Sequence, residues 1–331
     1  MAYLFNVDAG ALFPLAPHHT FGRLASAVDT PIDRPYISKL HAAIEWNGYN
    51  WRVKNLGLNG TWLNGAALGQ GDTMELAVGD EIHFVEMNDP GFKVIDLTPP
   101  TDLLWPVDAT AAENVQPVYL SRYHLLPDAQ APQLAIYFGD EEQQWFMENI
   151  NGQVEQERIA IKHGDYVNFN NQRWKFIRAQ VYGPTEARVH QIKKLTDFEF
   201  IFNLSLDEET TQLELHYLKQ SIDLASRSHH YLILQLARHR INDAVRGLDN
   251  KSQGWVYADQ LAHELGLDTT HMNIQIFRAR KQLADGLPDA LGQQCLLERR
   301  GGKIRFGCEK FKIYKGDTLI AASPVNPPPT E

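Results

Sequence analysis

Short apolar runs separated by turn residues fill the first hundred positions of the chain. Runs such as residues 42–46 have the length of β-strands, and no helical period appears over residues 1–98. Three Asn-Gly pairs, beginning at Asn47, Asn59 and Asn64, mark tight turns, because asparagine and glycine tolerate the positive φ angles of such turns. The pattern predicts an all-β sandwich over residues 1–98.

A second β region follows a stretch rich in proline, alanine, threonine and aspartate. That stretch is interpreted as a linker over residues 99–116, and strand-like runs then resume over residues 117–185. The sequence at 164–169, GDYVNF, is similar to GDEIHF at 79–84. We interpret residues 117–185 as a second, degenerate copy of the first sandwich; the alternative is a chance similarity between two β domains.

The last third of the chain has a mixed pattern that predicts an α+β domain over residues 196–316. Three strands are expected within residues 198–224, and helices are expected over residues 229–245, 257–265 and 270–284. Apolar residues of the third helix recur at helical spacing and should share its buried face: Met272, Ile276, Ala279 and Leu283. Residues 322–331 are rich in proline and are predicted to be disordered.

A terminal hairpin is predicted between Cys295 and Cys308, with its turn at Gly301-Gly302. Strand alternation places Leu297, Ile304 and Phe306 on one face, and it places charged residues on the other: Glu298, Arg300, Lys303 and Arg305. The two cysteines face each other across this hairpin. Packed thiols are the favoured interpretation, and a cross-strand disulfide is the alternative.

Composition and charge narrow the class of protein. The 331 residues are 44% hydrophobic with two cysteines, which fits two or three globular domains in a reducing compartment. A membrane span or a secretory signal is not expected, so the predicted location is the cytoplasm. The net charge is −10, yet residues 271–315 carry 10 basic against 4 acidic residues. This distribution indicates a local contact with a polyanion, or else chance clustering on a solvated face.

Four short blocks of the first domain resemble those of the forkhead-associated (FHA) domain. The blocks are Phe21-Gly22-Arg23, Ser38-Lys39-Leu40-His41, residues 59–65 (NGTWLNG) and Gly79-Asp80. The resemblance covers residues 3–97 and implies recognition of phosphothreonine. It implies that Arg23 and Ser38 contact the phosphate, that Lys39 adds charge and that Asn59 binds the peptide backbone. The remaining block residues are implied to be structural: Gly22, His41, Gly60, Thr61 and Asn64.

The resemblance has departures near the implied phosphate site. Gly57 stands near a position where the family usually has serine, and Leu58 replaces a residue that is often a hydroxyl or lysine donor. A hydrogen bond to a charged group contributes about 1.5–3 kcal/mol, so we expect weaker phosphopeptide binding than in a domain with that donor. No matching phosphate-binding block is identified in residues 117–185.

The C-terminal domain resembles the OmpR/PhoB-type winged-helix domain, between about Phe198 and Tyr314. The resemblance implies that the third helix enters the major groove of DNA and that the terminal hairpin is the wing. The implied DNA contacts are His271, Gln275, Arg278, Arg280, Lys281, Arg300, Lys303 and Arg305. Two departures weaken this expectation: His229 replaces an acidic residue, and Phe277 occupies a position where many members are basic.

Together these features predict a mainly β chain with an FHA sandwich, a degenerate FHA-like sandwich and a C-terminal winged helix-turn-helix. The predicted function is phosphothreonine-dependent transcriptional regulation, with double-stranded DNA and a threonine-phosphorylated protein, such as a Ser/Thr kinase or its substrate, as partners. The alternative is a phospho-dependent assembly adaptor whose winged helix docks a protein. No catalytic, metal or cofactor site is predicted, and a homodimer is left open.

Overall fold

The computed structural model describes residues 1–85, 91–107, 116–150, 158–179, 193–288 and 290–323. The described chain is mostly β, and its three α-helices all lie beyond residue 227. None of the described helices is long and apolar enough to cross a membrane. The chain divides into two compact units, one of Met1–Leu120 with Lys162–Ala187 and the other of Ser121–Ile161 with Arg188–Glu331.

The predicted N-terminal sandwich is confirmed. Its strands are β1 (Tyr3–Asn6), β2 (Ala11–Pro14), β3 (His18–Gly22), β4 (Thr30–Pro31), β5 (Ala42–Trp46), β6 (Trp51–Asn55), β7 (Thr61–Leu63), β8 (Ala66–Leu68), β9 (Thr73–Glu75), β10 (Glu81–Phe84) and β11 (Phe92–Asp96). They form a sheet of order β2-β1-β11-β10-β7-β8 and a sheet of order β4-β3-β5-β6-β9. Inward-facing apolar residues of both sheets, among them Leu4, Phe21, Ile44 and Val94, form one core.

The next eight strands form two further sheets. They are β12 (Leu103–Pro106), β13 (Val118–Tyr119), β14 (Tyr123–Leu126), β15 (Leu134–Gly139), β16 (Gln144–Asn149), β17 (Ile159–Ile161), β18 (Tyr166–Phe169) and β19 (Gln172–Ile177). The first sheet has the order β13-β12-β19-β18, and the second has the order β14-β15-β16-β17.

The expected linker over residues 99–116 contains a strand. Leu103, Leu104 and Trp105 are buried in β12, which pairs in antiparallel fashion with β19. Three consecutive large apolar side chains make burial in a sheet more favourable than exposure in a linker. Residues 108–115 lie outside the described chain.

The predicted second sandwich, residues 117–185, is divided between the two units. Strands β12, β13, β18 and β19 belong to the first unit, whereas β14–β17 belong to the second. The physical reason is that side chains of β14, β15 and β16 share an apolar cluster with a helix of the C-terminal region, described below. Residues 151–157 and 180–185 lie outside the described chain.

The C-terminal region combines ten strands with the three helices. In chain order the elements are β20 (Lys193–Lys194), β21 (Glu199–Leu204), β22 (Thr211–Tyr217), β23 (Gln220–Ser226), α1 (Ser228–Val245), β24 (Val256–Tyr257), α2 (Ala258–Glu264), α3 (Thr269–Gly286), β25 (Ala290–Leu291), β26 (Leu297–Arg300), β27 (Lys303–Phe306), β28 (Phe311–Lys315) and β29 (Thr318–Ser323). The sheets are β23-β22-β21-β28-β29, β24-β27-β26 and the parallel pair β20-β25.

Helix α3 begins one residue before its predicted start and is capped by Asp268. The Asp268 carboxylate accepts a 2.8 Å hydrogen bond from the backbone N–H of His271, which satisfies one of the free donors of the first turn. The four residues expected on the inward face are all buried: Met272, Ile276, Ala279 and Leu283. The predicted inward face is therefore confirmed.

The terminal hairpin has the predicted turn. Gly301 and Gly302 have φ angles of 54° and 71°, which glycine adopts without the steric cost of a side chain. Strand β29 extends to Ser323, so Ala322 and Ser323 belong to a sheet and not to the expected disordered tail. Residues 324–331 lie outside the described chain.

Candidate functional site

Arg23 follows β3 and is joined to the segment that carries Ser38. Its backbone N–H donates to the Ser38 carbonyl at 2.9 Å, and its Nε donates to the Ile37 carbonyl at 3.2 Å. The side chain is exposed. Within the described chain its two terminal nitrogens make no hydrogen bond, so the fork of the guanidinium is available to an anion.

Asn59 approaches the same segment from the loop after β6. Its Nδ2 donates a 2.7 Å hydrogen bond to the Tyr36 carbonyl. Residues Tyr36–Ser38 are thus held by Arg23 on one side and by Asn59 on the other. The structure therefore brings together three of the four predicted phosphopeptide-binding residues, and the fourth, Lys39, is exposed beside Ser38.

His41 joins two loops of this site. The backbone N–H of Ser38 donates to His41 Nδ1 at 3.2 Å, and His41 Nε2 lies 2.9 Å from the Gly60 carbonyl. Burial lowers the pKa of His41, which favours the neutral ring. When the proton of the neutral ring is on Nε2, Nδ1 accepts from Ser38 and Nε2–H donates to Gly60, so both contacts are satisfied at once.

Two glycines allow the close approach of the loops. A Cβ on Gly22 would lie 2.4 Å from the Lys39 carbonyl oxygen, and a Cβ on Gly57 would lie 2.6 Å from His41 Nδ1. Any side chain at either position would displace its neighbour. Gly57 is therefore required by the present position of the His41 ring.

Two asparagines, the buried Asn55 and the exposed Asn64, stabilise the loops through side-chain hydrogen bonds. Asn55 Oδ1 accepts from the Gly57 N–H at 3.0 Å and from Thr61 Oγ1 at 3.1 Å. Asn64 Nδ2 donates to Asp80 Oδ1 at 2.7 Å. The contribution of Asn55 was missed from the sequence, although a polar residue at a buried position of β6 is a signal that could have identified it.

The terminal hairpin carries basic side chains over two aromatic rings. The guanidinium carbons of Arg300 and Arg305 each lie 4.7 Å from the centre of a Trp255 ring, and Lys303 Nζ lies 4.6 Å from the Tyr257 ring. We call these five residues the hairpin surface. The two aromatic residues were missed from the sequence. Trp255 precedes strand β24 and Tyr257 ends it, and the pairing of β24 with β27 brings them to the hairpin.

Arg305 is only partly available on this surface. Its Nη2 lies 2.7 Å from a Glu298 carboxylate oxygen, and its Nη1 donates to the carbonyls of Asn250 and Lys251. Its side chain is 12% exposed. Arg300 is exposed and Lys303 is half-buried, so these two are the better placed for a ligand.

The predicted contacts on α3 are not all at the surface. His271 is exposed beside Asp268, Gln275 accepts from Ser228 Oγ and Lys281 pairs with Asp285. Arg280 is 4% exposed. It lies four residues after Ile276 and three before Leu283, and this spacing places it beside the buried face.

Arg278 is engaged by main-chain atoms of the same unit. Its Nε donates to the Ala129 carbonyl and its Nη2 donates to the Gln130 carbonyl, both at 2.9 Å. Arg278, one of the implied DNA contacts, is therefore bound to other residues of the chain.

The remaining titratable groups serve structure. His229 Nε2 and His230 Nε2 both lie 2.7 Å from Gln282 Oε1, and burial lowers the pKa of His229 to about 4. Cys295 and Cys308 are free thiols, and burial raises the pKa of both, which makes them poor nucleophiles. The described residues contain no group of His, Cys, Asp and Glu side chains that could hold a metal ion.

Comparison with known proteins identifies one domain. Residues 19–85 match the model of the FHA domain, and no curated protein matches the sequence. Among solved structures, the chain is similar to Mycobacterium tuberculosis EmbR in complex with a low affinity phosphopeptide, at 27% identity over 30% of this chain and 25% of that one, with a TM-score of 0.26. It is also similar to the FHA domain of an Arabidopsis thaliana hypothetical protein, at 26% identity over 30% of this chain and 88% of that one, with a TM-score of 0.27. The MEK1 FHA domain is 24% identical over 28% of this chain and 88% of that one, with a TM-score of 0.27.

Proposed function

Because residues 19–85 form an FHA domain, and FHA domains are phosphopeptide-recognition modules, we propose that this chain binds a threonine-phosphorylated protein. The observation that carries the proposal is the segment Tyr36–Ser38, held between Arg23 and Asn59. A phosphate dianion needs several donors at fixed positions, and a guanidinium supplies two of them in a plane. Arg23 and the Ser38 hydroxyl would bind the phosphate, and Asn59 would bind the peptide backbone.

Two exposed neighbours set the strength of this site. Lys39 adds a positive charge beside Ser38, whereas Leu58 is 82% exposed and offers no donor. We therefore expect phosphate recognition to depend mainly on Arg23, with modest affinity and strong sensitivity to salt.

Substitution of Arg23 tests the proposal. The full chain would be titrated with fluorescent phosphothreonine peptides and with their unphosphorylated forms, and anisotropy would be measured. We expect Arg23→Ala to weaken phosphopeptide binding at least tenfold, whereas Arg52→Ala, which removes an exposed arginine elsewhere in the same sandwich, leaves it unchanged. Equal affinities of the two variants would refute the assigned site.

We further propose that the C-terminal module, which resembles a winged helix, binds double-stranded DNA through the hairpin surface. Arg300 and Lys303 lie over aromatic rings on the polar face of the hairpin. Cation–π contact with the rings limits the motion of these side chains. Such an array fits the phosphate backbone, which supplies most of the sequence-independent affinity for DNA.

A charge reversal tests this second part. Binding of a mixed-sequence duplex would be measured at two salt concentrations with the wild type and with Arg300→Glu. We expect wild-type affinity to fall steeply with salt and the variant to lose binding, while Arg246→Glu, an exposed arginine of the α1 C-cap, has little effect. Failure of the wild type to bind at low salt would contradict DNA binding.

One observation favours a second function, that of a phospho-dependent assembly adaptor. Phe277 is 1% exposed and Arg278 donates to two carbonyls of the same chain, so the part of α3 to which the resemblance assigns DNA contacts is already occupied by other residues of this chain. If duplex does not bind, the hairpin surface becomes the site at which such an adaptor would dock an acidic protein.

A further inference from the structure

Helix α3 and the sheet β14–β17 share one apolar cluster. On the helix the cluster contains Phe277 and Ala284, with Ile274 packed against it. The sheet contributes the buried residues Tyr123, Leu125, Ala135, Tyr137, Phe146 and Ile150, with Ala129 packed at the margin. We call the four strands β14–β17, the loop that joins β14 to β15 and Ile150 directly after β16 the cover sheet.

Hydrogen bonds fix the position of α3 against the cover sheet. Besides the two bonds of Arg278 to the carbonyls of residues 129 and 130, Asn273 Nδ2 donates to the Ile150 carbonyl at 3.1 Å. These three bonds span one helical turn and a half, from Asn273 to Arg278. The contact is therefore a specific one, with both apolar and polar components.

The contact also contains buried charge that is incompletely satisfied. Arg280 Nη1 lies 3.4 Å from a Glu148 carboxylate oxygen, with side chains 5% and 13% exposed. The Nε atoms of Arg280 and Arg299 are buried and have no hydrogen-bond partner among the described residues. The terminal nitrogens of Arg280 have the Glu148 carboxylate and the Leu297 carbonyl as partners, and Arg299 Nη2 has Asn273 Oδ1, but within the described chain the two Nε donors stay unpaired. Desolvation of unpaired donors opposes burial, so this interface is weaker than an apolar contact of equal area.

The winged-helix resemblance implies that α3 contacts DNA. Arg278 is one of the implied contacts, and Phe277 is its neighbour in the helix. While Arg278 donates from Nε and Nη2 to main-chain carbonyls, that edge of its guanidinium is not available to a phosphate or a base, and a duplex cannot approach a buried Phe277. The hairpin surface is not involved in these bonds. A duplex can therefore reach the hairpin surface while α3 is covered.

We propose that the cover sheet is an internal inhibitor of DNA binding by α3. With the cover sheet in place, the chain binds duplex through the hairpin surface alone; when it separates, α3 becomes available and affinity rises. This inference rests on the DNA-binding part of the proposed function and concerns its regulation.

A bulky residue at the margin of the contact tests the inhibitor. Ala129 is half-buried against the cluster, whereas Ala131 in the same loop is exposed. Ala129→Trp should separate the loop from α3 and strengthen binding of the full chain to a mixed-sequence duplex about tenfold. Ala131→Trp, the matched control, should bind as the wild type does. The gain should disappear when Arg278→Ala is added to Ala129→Trp.

Leu125→Asp is a second, independent way to open the contact, because it places a carboxylate in the cluster. Thermal melting would verify that each variant retains a folded FHA domain. Unchanged duplex affinity in both variants, or a gain that persists without Arg278, would overturn the inhibitor. Binding by the wild type that is lost in Arg300→Glu, without a gain on opening, would leave the hairpin function standing and reject only the inhibitor. Absence of binding in every variant would reject both.

Discussion

Asp80 and Asp165 occupy the same kind of turn in two different sheets. The Asp80 carboxylate accepts a 2.7 Å hydrogen bond from the backbone N–H of Ala77, and that of Asp165 accepts one of 2.7 Å from Lys162, again three residues earlier. Each aspartate follows a glycine in the left-handed region, with φ of 94° and 92°. Each turn then leads into a strand, β10 or β18.

The sheets that contain these turns also correspond. The order β2-β1-β11-β10 is matched by β13-β12-β19-β18, with antiparallel pairing at each step. The order β3-β5-β6-β9 is likewise matched by β14-β15-β16-β17. These matches support the interpretation of a duplicated sandwich, and we propose that the strands of the cover sheet correspond by descent to the sheet whose strand β3 precedes Arg23.

The two aspartates should differ in their contribution to stability. Asp80 also accepts a hydrogen bond from Asn64 Nδ2, so we expect Asp80→Ala to lower the free energy of unfolding by about 2 kcal/mol and Asp165→Ala by about 1 kcal/mol. Urea denaturation monitored by tryptophan fluorescence measures both. Asp33→Ala, which removes an exposed aspartate, is the control. A larger loss in Asp165→Ala than in Asp80→Ala would contradict the prediction.

Restoration of a donor at position 58 should strengthen phosphopeptide binding. Leu58 is exposed in the loop between β6 and β7, next to Asn59, and a hydroxyl there would add a donor beside the proposed phosphate position. We expect Leu58→Thr to increase affinity up to about tenfold, the equivalent of one hydrogen bond to a charged group. Val78→Thr makes the same change at an exposed position of the same sandwich and should have no effect. Isothermal titration calorimetry would compare the two, and equal affinities would count against the assigned phosphate position.

Removal of the aromatic platform should weaken the hairpin surface without changing its charge. Trp255→Leu removes the ring that contacts both Arg300 and Arg305, so their side chains gain freedom that DNA binding must then restrict. We expect duplex affinity to fall about threefold to tenfold, with an unchanged salt slope because the number of cations is the same. A shallower slope would instead indicate that a cation had been displaced.

Stability of the C-terminal region should fall on mild acidification. An unfolded histidine has a pKa of about 6.5, whereas burial lowers that of His229 to about 4. Between these values the unfolded chain binds a proton that the folded chain does not, so unfolding becomes easier as pH falls. For His229 the loss is about 2 kcal/mol at pH 5 relative to pH 7.

His229→Gln provides the comparison for this effect. Glutamine can still donate to Gln282 but does not titrate. Since other buried histidines also contribute, the quantity to measure is the difference in pH dependence between variant and wild type, from urea denaturation at pH 7 and pH 5. Parallel curves would show that His229 is protonated in the folded state at pH 5.

The sequence was sufficient for features that depend on local periodicity. The buried face of α3 from Met272 to Leu283 and the turn at Gly301-Gly302 are confirmed because spacing and turn chemistry determine them. The linker prediction failed at residues 103–106, where the composition of the surrounding stretch concealed a short buried strand. Arg278 was predicted to contact DNA, but it is engaged by carbonyl acceptors that lie about 150 residues earlier, and helical periodicity contains no information about such a contact.

The candidate phosphopeptide site likewise contains residues that the sequence identifies and residues whose role only the structure shows. Arg23, Ser38 and Asn59 were identified from spaced blocks, and the structure brings their segments together. The supporting roles of Asn55 and Gly57 became visible only when the loops were packed around His41, because they depend on distances of closest approach between segments distant in sequence.

Arg278 binds main-chain oxygens, which every amino acid possesses. Residue 130 can therefore change, and residue 129 can change to another side chain that fits the apolar cluster, without loss of the hydrogen bonds to Arg278, provided that the loop keeps its path. Covariation between position 278 and this loop should accordingly be absent across homologues. The pairing of Arg280 with Glu148, which joins two side chains, should be the coupled pair that an alignment reveals.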